Sequence, residues 1–146
     1  MKLVIQRVKE SNLKIDETNF SSIGYGMVIF LGISKEDDNN KIKKIVTKLS
    51  NLRIFNDELG KMNKNINEIN GEVLVVSQFT LYAETKKGNK PSFINAAKPI
   101  FALDIYKNFI KELQSLINTN VKTGKFGADM KVELINDGPV TIILEN

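Results

Sequence analysis

The sequence predicts an α+β fold in which an antiparallel-rich β-barrel or sandwich carries two main helices. Many short segments with alternating or unbroken apolar residues are separated by turn-forming residues, which is typical of strands. Only two segments repeat apolar residues at helical spacing, and they do not alternate with strands as in βαβ proteins. The 146 residues suit one domain over residues 1–146, because that length buries a substantial core and no linker divides it.

The N-terminal half has the pattern of strands followed by a helix. We expect a strand at residues 2–10, a hairpin through 13–15 and 20–23, and a buried strand at 27–33. Asp37 or Asp38 can cap the helix that follows. Its inward face is marked by apolar residues at helical spacing, namely Ile42, Ile45, Val46, Leu49 and Leu52. A turn at 56–60 and an irregular loop at 63–70 should complete this part.

The second half begins with the clearest strand of the chain. Residues 72–76 are almost unbroken in apolar character, which predicts a strand buried on both faces. A second helix should begin at Pro99, because proline suits the first turn. Its inward residues are Ala102, Ile105, Tyr106, Phe109, Leu113, Leu116 and Ile117. We expect the closing strands at 121–125, 130–135 and 140–144.

The residue composition excludes whole classes of chemistry. The chain contains neither histidine nor cysteine, so Ser-His-Asp and Cys-His nucleophilic schemes are impossible. No imidazole or thiolate is available to hold zinc, and we expect no metal and no cofactor. Gly24-x-Gly26 lacks the third glycine of a dinucleotide motif. Any hydrolysis must therefore use carboxylates, lysines, tyrosines, hydroxyls, backbone dipoles or the substrate itself.

The charge favours an anionic partner, although only weakly. The net charge of +4 and the pI near 9.2 fit RNA, but all except two of the 21 basic residues are lysine, which also fits a compositional bias. The two arginines, Arg7 and Arg53, mark either sites for a planar bidentate donor or ordinary surface ion pairs. With no apolar run of membrane-spanning length and a strand-like N-terminus, we expect a cytoplasmic protein.

Two polar segments stand where the apolar pattern breaks. Ser77, Gln78, Phe79 and Thr80 follow the buried strand, and they form either a capped turn or a ligand site. The segment Asn-Asp-Gly-Pro-Val-Thr, residues 136–141, lies between the last two predicted strands and is typical of a hairpin turn. Local turn chemistry alone does not decide between these interpretations.

Together the two segments resemble the motifs of the D-aminoacyl-tRNA deacylases, formerly called D-tyrosyl-tRNA deacylases. Further blocks at 5–8, 49–55, 86–93 and 122–130 are similar to family blocks in the expected order, so the resemblance covers essentially the whole chain. Departures are confined to connecting segments rich in lysine and asparagine, chiefly residues 10–21, 34–48 and 61–70.

The resemblance implies hydrolysis of the ester between a D-amino acid and the 3′-terminal adenosine of tRNA, with rejection of L-aminoacyl-tRNA. Glycyl-tRNA mischarged on tRNA-Ala should also be cleaved, because glycine has no side chain. The backbone N–H groups of Phe79 and Thr80 are the expected oxyanion donors. Ser77 and Gln78 would shape the site and bind the adenosine. The substrate's ribose 2′-OH would assist a water, with the Thr80 hydroxyl as the alternative nucleophile.

The same resemblance implies a homodimer. Gly138 and Pro139, joined by a cis peptide bond, would reach into the partner subunit's site and accept the substrate ammonium on two carbonyl oxygens. Arg7 would hold this loop through its carbonyls, and Met130 is a further substrate-binding candidate.

Lysines beside the site form a last group. Lys86, Lys87, Lys90 and Lys125 would contact acceptor-stem phosphates or else are simply solvated. Two other functions stay open from the sequence: a non-catalytic RNA-binding β-barrel, and a structural oligomer that uses Asp137-Gly138-Pro139 as an interface turn. Basic residues interleaved with aromatic residues on strands would favour RNA binding, and they are largely absent.

Overall fold

The computed structural model describes residues 1–86 and 88–146, so Lys87 and its expected phosphate contact lie outside the described residues. The strands are β1 (Lys2–Ile15), β2 (Thr18–Ile23), β3 (Gly26–Gly32), β4 (Phe55–Asn56), β5 (Met62–Lys64), β6 (Glu72–Ser77), β7 (Val121–Thr123) and β8 (Lys131–Glu145), and the helices are α1 (Asn39–Ser50) and α2 (Pro99–Gln114). A 3-10 turn, Phe79–Tyr82, follows β6. Neither helix of the described residues has the length and apolarity that a membrane crossing requires.

The long strand β1 organises the sheet. Its first half pairs antiparallel with β3, its second half pairs with β2, and β8 pairs antiparallel with both halves. Strands β3, β6 and β7 continue the sheet in parallel. The Lys122 ammonium on β7 donates to the carbonyl of Ser22 on β2 at 2.6 Å, so the far strands curl toward each other. The predicted α+β fold, rich in antiparallel pairs and nearly closed into a barrel, is confirmed.

Both faces of the sheet are buried at β6, as the apolar run in that strand predicts. Val73 and Val75 belong to the main core, which α1 and α2 cover. Leu74 and Val76 belong to a second cluster. Because successive side chains of a strand point to opposite faces, this division shows that β6 lies between two apolar layers. The strand therefore has no exposed face, and it places whatever follows it at the edge of the core.

The helices begin where the sequence predicts. The Asp38 carboxylate accepts the Lys41 N–H at 2.8 Å and caps α1, whereas Asp37 is buried and pairs with the Met1 amino group at 2.6 Å. Helix α2 begins at Pro99. The prediction that Leu116 faces inward is wrong: it is 38% exposed, because α2 ends at Gln114.

The expected hairpin through 13–15 and 20–23 is present as the β1–β2 pair, but two strand boundaries differ from the prediction for a common reason. Residues 2–10 and 13–15 belong to one strand, β1, and residues 130–135 and 140–144 are not separated by a hairpin turn. The residues on both sides of Pro139 pair antiparallel with the same strand β1, so the chain keeps its direction and residues 137–140 bulge from β8. Pairing with one long neighbour therefore overrides the local turn chemistry.

Candidate active site

A cavity of about 660 Å³ opens where the parallel strands β3 and β6 end. Leu31, Ile33 and Val76 form its inner wall, and the start of α2 with the loop 126–130 forms the opposite side. Of the residues predicted for the site, Ser77, Gln78, Phe79 and Met130 line this cavity. Thr80, Arg7, Gly138, Pro139, Lys86 and Lys90 do not line it.

The backbone turns sharply at the cavity because β6 gives way to a 3-10 turn. The Gln78 N–H makes the last bond to β3, donating to the Leu31 carbonyl at 2.8 Å. Within the turn, the Leu81 N–H donates to the Gln78 carbonyl at 3.3 Å. The N–H groups of Phe79 and Thr80 have no acceptor among the described residues, since the first N–H groups of a helical turn lack a partner within it. Two adjacent backbone donors are thus available in the turn that begins at the cavity, and Phe79 is the one of the two residues that lines it.

Two side chains of this turn differ in their surroundings: the Thr80 hydroxyl is hydrogen-bonded, and the Phe79 ring is exposed. The Gln78 amide Nε2 donates to the Thr80 hydroxyl, which fixes both groups relative to the backbone. The Phe79 ring is 58% exposed and packs edge-on against Phe93, with 5.1 Å between ring centroids. Because Phe93 also lines the cavity, the two rings form an apolar rim beside the free N–H groups.

A buried tyrosine, Tyr106, lies behind the cavity wall and does not line the cavity. The Tyr106 hydroxyl donates to the Val75 carbonyl at 2.8 Å, and burial raises the pKa of the phenol. The Tyr106 ring packs against Phe126, which lines the cavity, with 5.7 Å between centroids. The Tyr106 phenol therefore stays neutral and has a structural role: it connects β6 to the cavity-lining Phe126.

Two charged residues, Lys98 and Asp129, line the cavity. Neither of them was predicted from the sequence as a site residue. Asp129 pairs with the Lys131 ammonium at 2.7 Å, which raises the pKa of that lysine. Lys98 lines the cavity directly before Pro99, at the N-cap of α2. The sequence feature that marks Lys98 is its position directly before Pro99, the proline that starts α2. Lys86, Lys90 and Lys125 are exposed.

The cavity thus offers the Ser77 hydroxyl and the Gln78 amide beside the charged side chains of Lys98 and Asp129. No cluster of three or more acidic residues forms a metal site within residues 1–86 and 88–146. Backbone N–H groups beside such a cavity can stabilise negative charge on a bound ligand.

The second motif lies outside this cavity and is held by Arg7. Arg7 is only 4% exposed, so it is not a surface ion pair. Its Nε lies 3.0 Å from the Asp137 carboxylate and donates to the Asp137 carbonyl at 3.2 Å. Its Nη1 donates to the Ile54 carbonyl at 2.7 Å and to the Asn56 side chain at 3.1 Å. The loop is therefore held at Asp137, the residue before Gly138.

The Gly138–Pro139 segment is exposed and tightly constrained. The peptide bond between the two residues is cis. Gly138 has φ of +117°, and a Cβ built there would lie 2.8 Å from Nη2 of Arg7. Both residues are exposed on the bulge of β8 and contribute nothing to the cavity of their own chain.

Comparison with known proteins gives a consistent result. The D-Tyr-tRNA(Tyr) deacylase family model matches residues 4–145. D-aminoacyl-tRNA deacylases of Protochlamydia amoebophila and Finegoldia magna are 55% and 53% identical over 146 residues, covering all of this chain and 96% and 98% of those proteins.

Solved structures show the same fold. One described as c-Myc DNA Unwinding Element Binding Protein has a TM-score of 0.95 at 42% identity, covering 100% of this chain and 99% of that one. One described as a probable eukaryotic D-amino acid tRNA deacylase has a TM-score of 0.84 at 15% identity, covering 98% and 97%. With a family model that spans nearly the whole chain and relatives that share half of its residues, the chain belongs to the D-aminoacyl-tRNA deacylase family.

Proposed function

We propose that this protein hydrolyses the ester between a D-amino acid and the 3′-terminal adenosine of tRNA and rejects the L-aminoacyl ester. The observation that carries the proposal is the pair of N–H groups on Phe79 and Thr80, which have no acceptor among the described residues, in the turn that follows the cavity-lining residues Ser77 and Gln78. Membership of the family gives the reaction its substrate class.

The two N–H groups stabilise the oxyanion that forms when the ester carbonyl is attacked. Backbone donors that are fixed before the reaction need no reorganisation, and the loss of one typically costs about 10²–10³ in rate. The N–H groups of Phe79 and Thr80 are adjacent in the chain and are held by the turn that the Leu81 and Ala83 bonds close. The aminoacyl ester is already activated, so this stabilisation accounts for the main part of catalysis.

A water attacks the ester with help from the ribose 2′-OH of the substrate. The Thr80 hydroxyl is the alternative nucleophile, but it is engaged by the Gln78 amide and the chain has no histidine to act as its base. Ser77 and Gln78 bind the adenosine together with the apolar rim of Phe79, and Met130 closes the opposite wall.

Chirality is read by the Gly138–Pro139 segment of a second copy of the chain. The segment is exposed and does not line the cavity of its own chain, which fits a role in the cavity of a partner. Its carbonyl oxygens accept the α-ammonium group of the substrate, and the space beside Cα that an L side chain needs is closed. The protein therefore acts as a homodimer. Because glycine has no side chain to exclude, glycyl-tRNA mischarged on tRNA-Ala is also a substrate.

The acceptor stem of the tRNA contacts exposed lysines near the cavity. Lys86, Lys90 and Lys125 are exposed and follow or precede segments that line the cavity, a position that suits contacts with acceptor-stem phosphates. Such contacts give binding that weakens with salt and carries no sequence preference. A cytoplasmic location, where tRNA is aminoacylated, fits this substrate.

Matched D-tyrosyl-tRNA and L-tyrosyl-tRNA test the proposal directly. We expect the protein to accelerate loss of the D-ester and to leave the L-ester at its uncatalysed rate, with glycyl-tRNA cleaved as a third substrate. Equal decay of both tyrosyl esters at the uncatalysed rate would overturn the proposed function.

A further inference from the structure

The bulge that carries Gly138 and Pro139 has a narrow neck. Gln6 pairs with Thr141 and Val8 pairs with Asn136 in the ladder between β1 and β8, so residues 137–140 leave the ladder opposite a single residue of β1. A bulge widens only if the two ends of its neck move apart. The contacts across the neck therefore decide how firmly the exposed segment is held.

One side chain, Asn136, spans this neck. Its Oδ1 accepts the backbone N–H of Val140 at 3.2 Å, and its Nδ2 donates to the Thr141 hydroxyl at 3.0 Å. The Gln6 amide donates to the same hydroxyl at 3.5 Å, which connects the neck to β1. An aliphatic side chain at this position would lose both bonds, because it has neither a donor nor an acceptor.

The Asn136 bridge and the Arg7 contact hold different limbs of the bulge. Arg7 contacts the first limb at Asp137, and Asn136 holds the second limb at Val140. A Cβ on Gly138 would meet Nη2 of Arg7 at 2.8 Å and Cγ2 of Val140 at 3.0 Å, so the segment between the limbs has little room to shift. Arg7 cannot compensate for Asn136, because it does not contact the second limb through any described hydrogen bond.

We propose that Asn136 is a positioning residue for chiral selection, which keeps Gly138 and Pro139 in the place from which they contact the substrate of a second copy. This inference rests on the proposed function. Asn136 itself does not touch the substrate. It acts by closing the neck, so that the exposed carbonyl groups keep a fixed position relative to the sheet.

The test compares Asn136→Ala and Thr141→Val with the unmodified protein on D-tyrosyl-tRNA, L-tyrosyl-tRNA and glycyl-tRNA. For Asn136→Ala we expect kcat/KM on the D-ester to fall about 10–100-fold, since a displacement near 1 Å can cost about 10²-fold. The ratio of D-ester to L-ester hydrolysis should narrow by at least about tenfold. Thr141→Val removes one of the two bonds and should give a smaller change in the same direction. It also keeps the test decisive if Asn136→Ala does not fold.

Asn51→Ala is the matched control, because its Nδ2 donates to the Thr47 carbonyl at 2.8 Å at the end of α1, outside the bulge. We expect this variant to lose stability without a change in the D-to-L ratio. If Asn136→Ala lowers only the melting temperature and keeps the original ratio and kcat/KM, as Asn51→Ala does, the inference is wrong. Absence of D-ester hydrolysis in the unmodified protein would instead overturn the proposed function.

Discussion

The guanidinium of Arg7 and the carboxylate of Asp137 form an ion pair inside the β1–β8 strand pair, with 3.0 Å between Nε and Oδ2. The arginine is buried in the sheet, whereas the aspartate begins the bulge that carries Gly138 and Pro139. A rigid core residue is thereby connected to an exposed loop by a planar donor that a lysine cannot replace. The first limb of the loop thus owes its position to the sheet, whereas the Asn136 side chain holds the second limb.

Arg7→Ala should destabilise the protein by about 3 kcal/mol, because it leaves the Asp137 carboxylate and the Ile54 carbonyl without their partner. Urea denaturation measures the change. The matched control is Arg53→Ala, since Arg53 is exposed and its loss should stay within about 0.5 kcal/mol. Equal stability of the two variants would show that the buried contacts contribute nothing.

Gly138→Ala should abolish most D-ester hydrolysis while the protein still folds. The backbone at Gly138 has φ of +117°, and a Cβ would lie 2.8 Å from the Arg7 guanidinium, so the segment must move. Steady-state hydrolysis of D-tyrosyl-tRNA checks this, with the melting temperature measured in parallel. The control is Gly60→Ala, outside the cavity, which has a similarly positive φ of +76° but nothing within 4 Å of the added Cβ. If both variants keep full activity, the position of the segment does not matter for catalysis.

Gly26→Ala should prevent stable folding. A Cβ at Gly26 would lie 1.9 Å from the Glu72 carbonyl oxygen, so β3 and β6 could not pair as they do. The glycine that resembles part of a nucleotide motif is thus explained by close strand packing. Circular dichroism and thermal melting measure the effect, and Gly24→Ala is the control because its nearest atom, a side-chain oxygen of Glu72, lies at 3.4 Å. A Gly26→Ala protein with normal melting behaviour would contradict this account.

The parts of the fold that depend on burial could be predicted from the sequence. The apolar run 72–76 identified a strand buried on both faces, and Pro99 marked the start of α2. The segment Ser77 to Thr80 was placed correctly at the end of that strand. Such features follow from the hydrophobic pattern and from capping chemistry, which are local properties of the chain.

The parts that depend on distant pairing could not be predicted. Asp137-Gly138-Pro139 has the composition of a turn, yet the register with β1 on both sides keeps β8 in one direction. The burial of Arg7 depends on the Ile54 and Asn56 acceptors, and nothing in the local pattern of these two residues indicates that they lie beside Arg7. Lys98 reaches the cavity because the N–H of the preceding residue, Ala97, donates to the Ile33 carbonyl just beyond β3 at 2.9 Å.

Thr80→Ala should leave most of the activity, with a loss below about tenfold, because the hydroxyl is not the nucleophile in the proposed mechanism. The variant keeps the Thr80 N–H and removes only the group that accepts the Gln78 amide. Single-turnover hydrolysis of D-tyrosyl-tRNA isolates the chemical step from binding and release. Chemistry abolished with folding and tRNA binding intact would show that the hydroxyl takes part in catalysis.

Phe79→Pro and Phe79→Ala together isolate one backbone donor. Both variants remove the ring from the rim, but only proline also removes the N–H group. Proline suits the first position of the 3-10 turn, where the Phe79 N–H has no acceptor among the described residues. We expect Phe79→Pro to react about 10²–10³ times more slowly than Phe79→Ala in single-turnover hydrolysis of the D-ester. Matching melting temperatures would establish that both variants are folded. With folding established, equal rates would exclude the Phe79 N–H as an oxyanion donor and leave the Thr80 N–H to act alone.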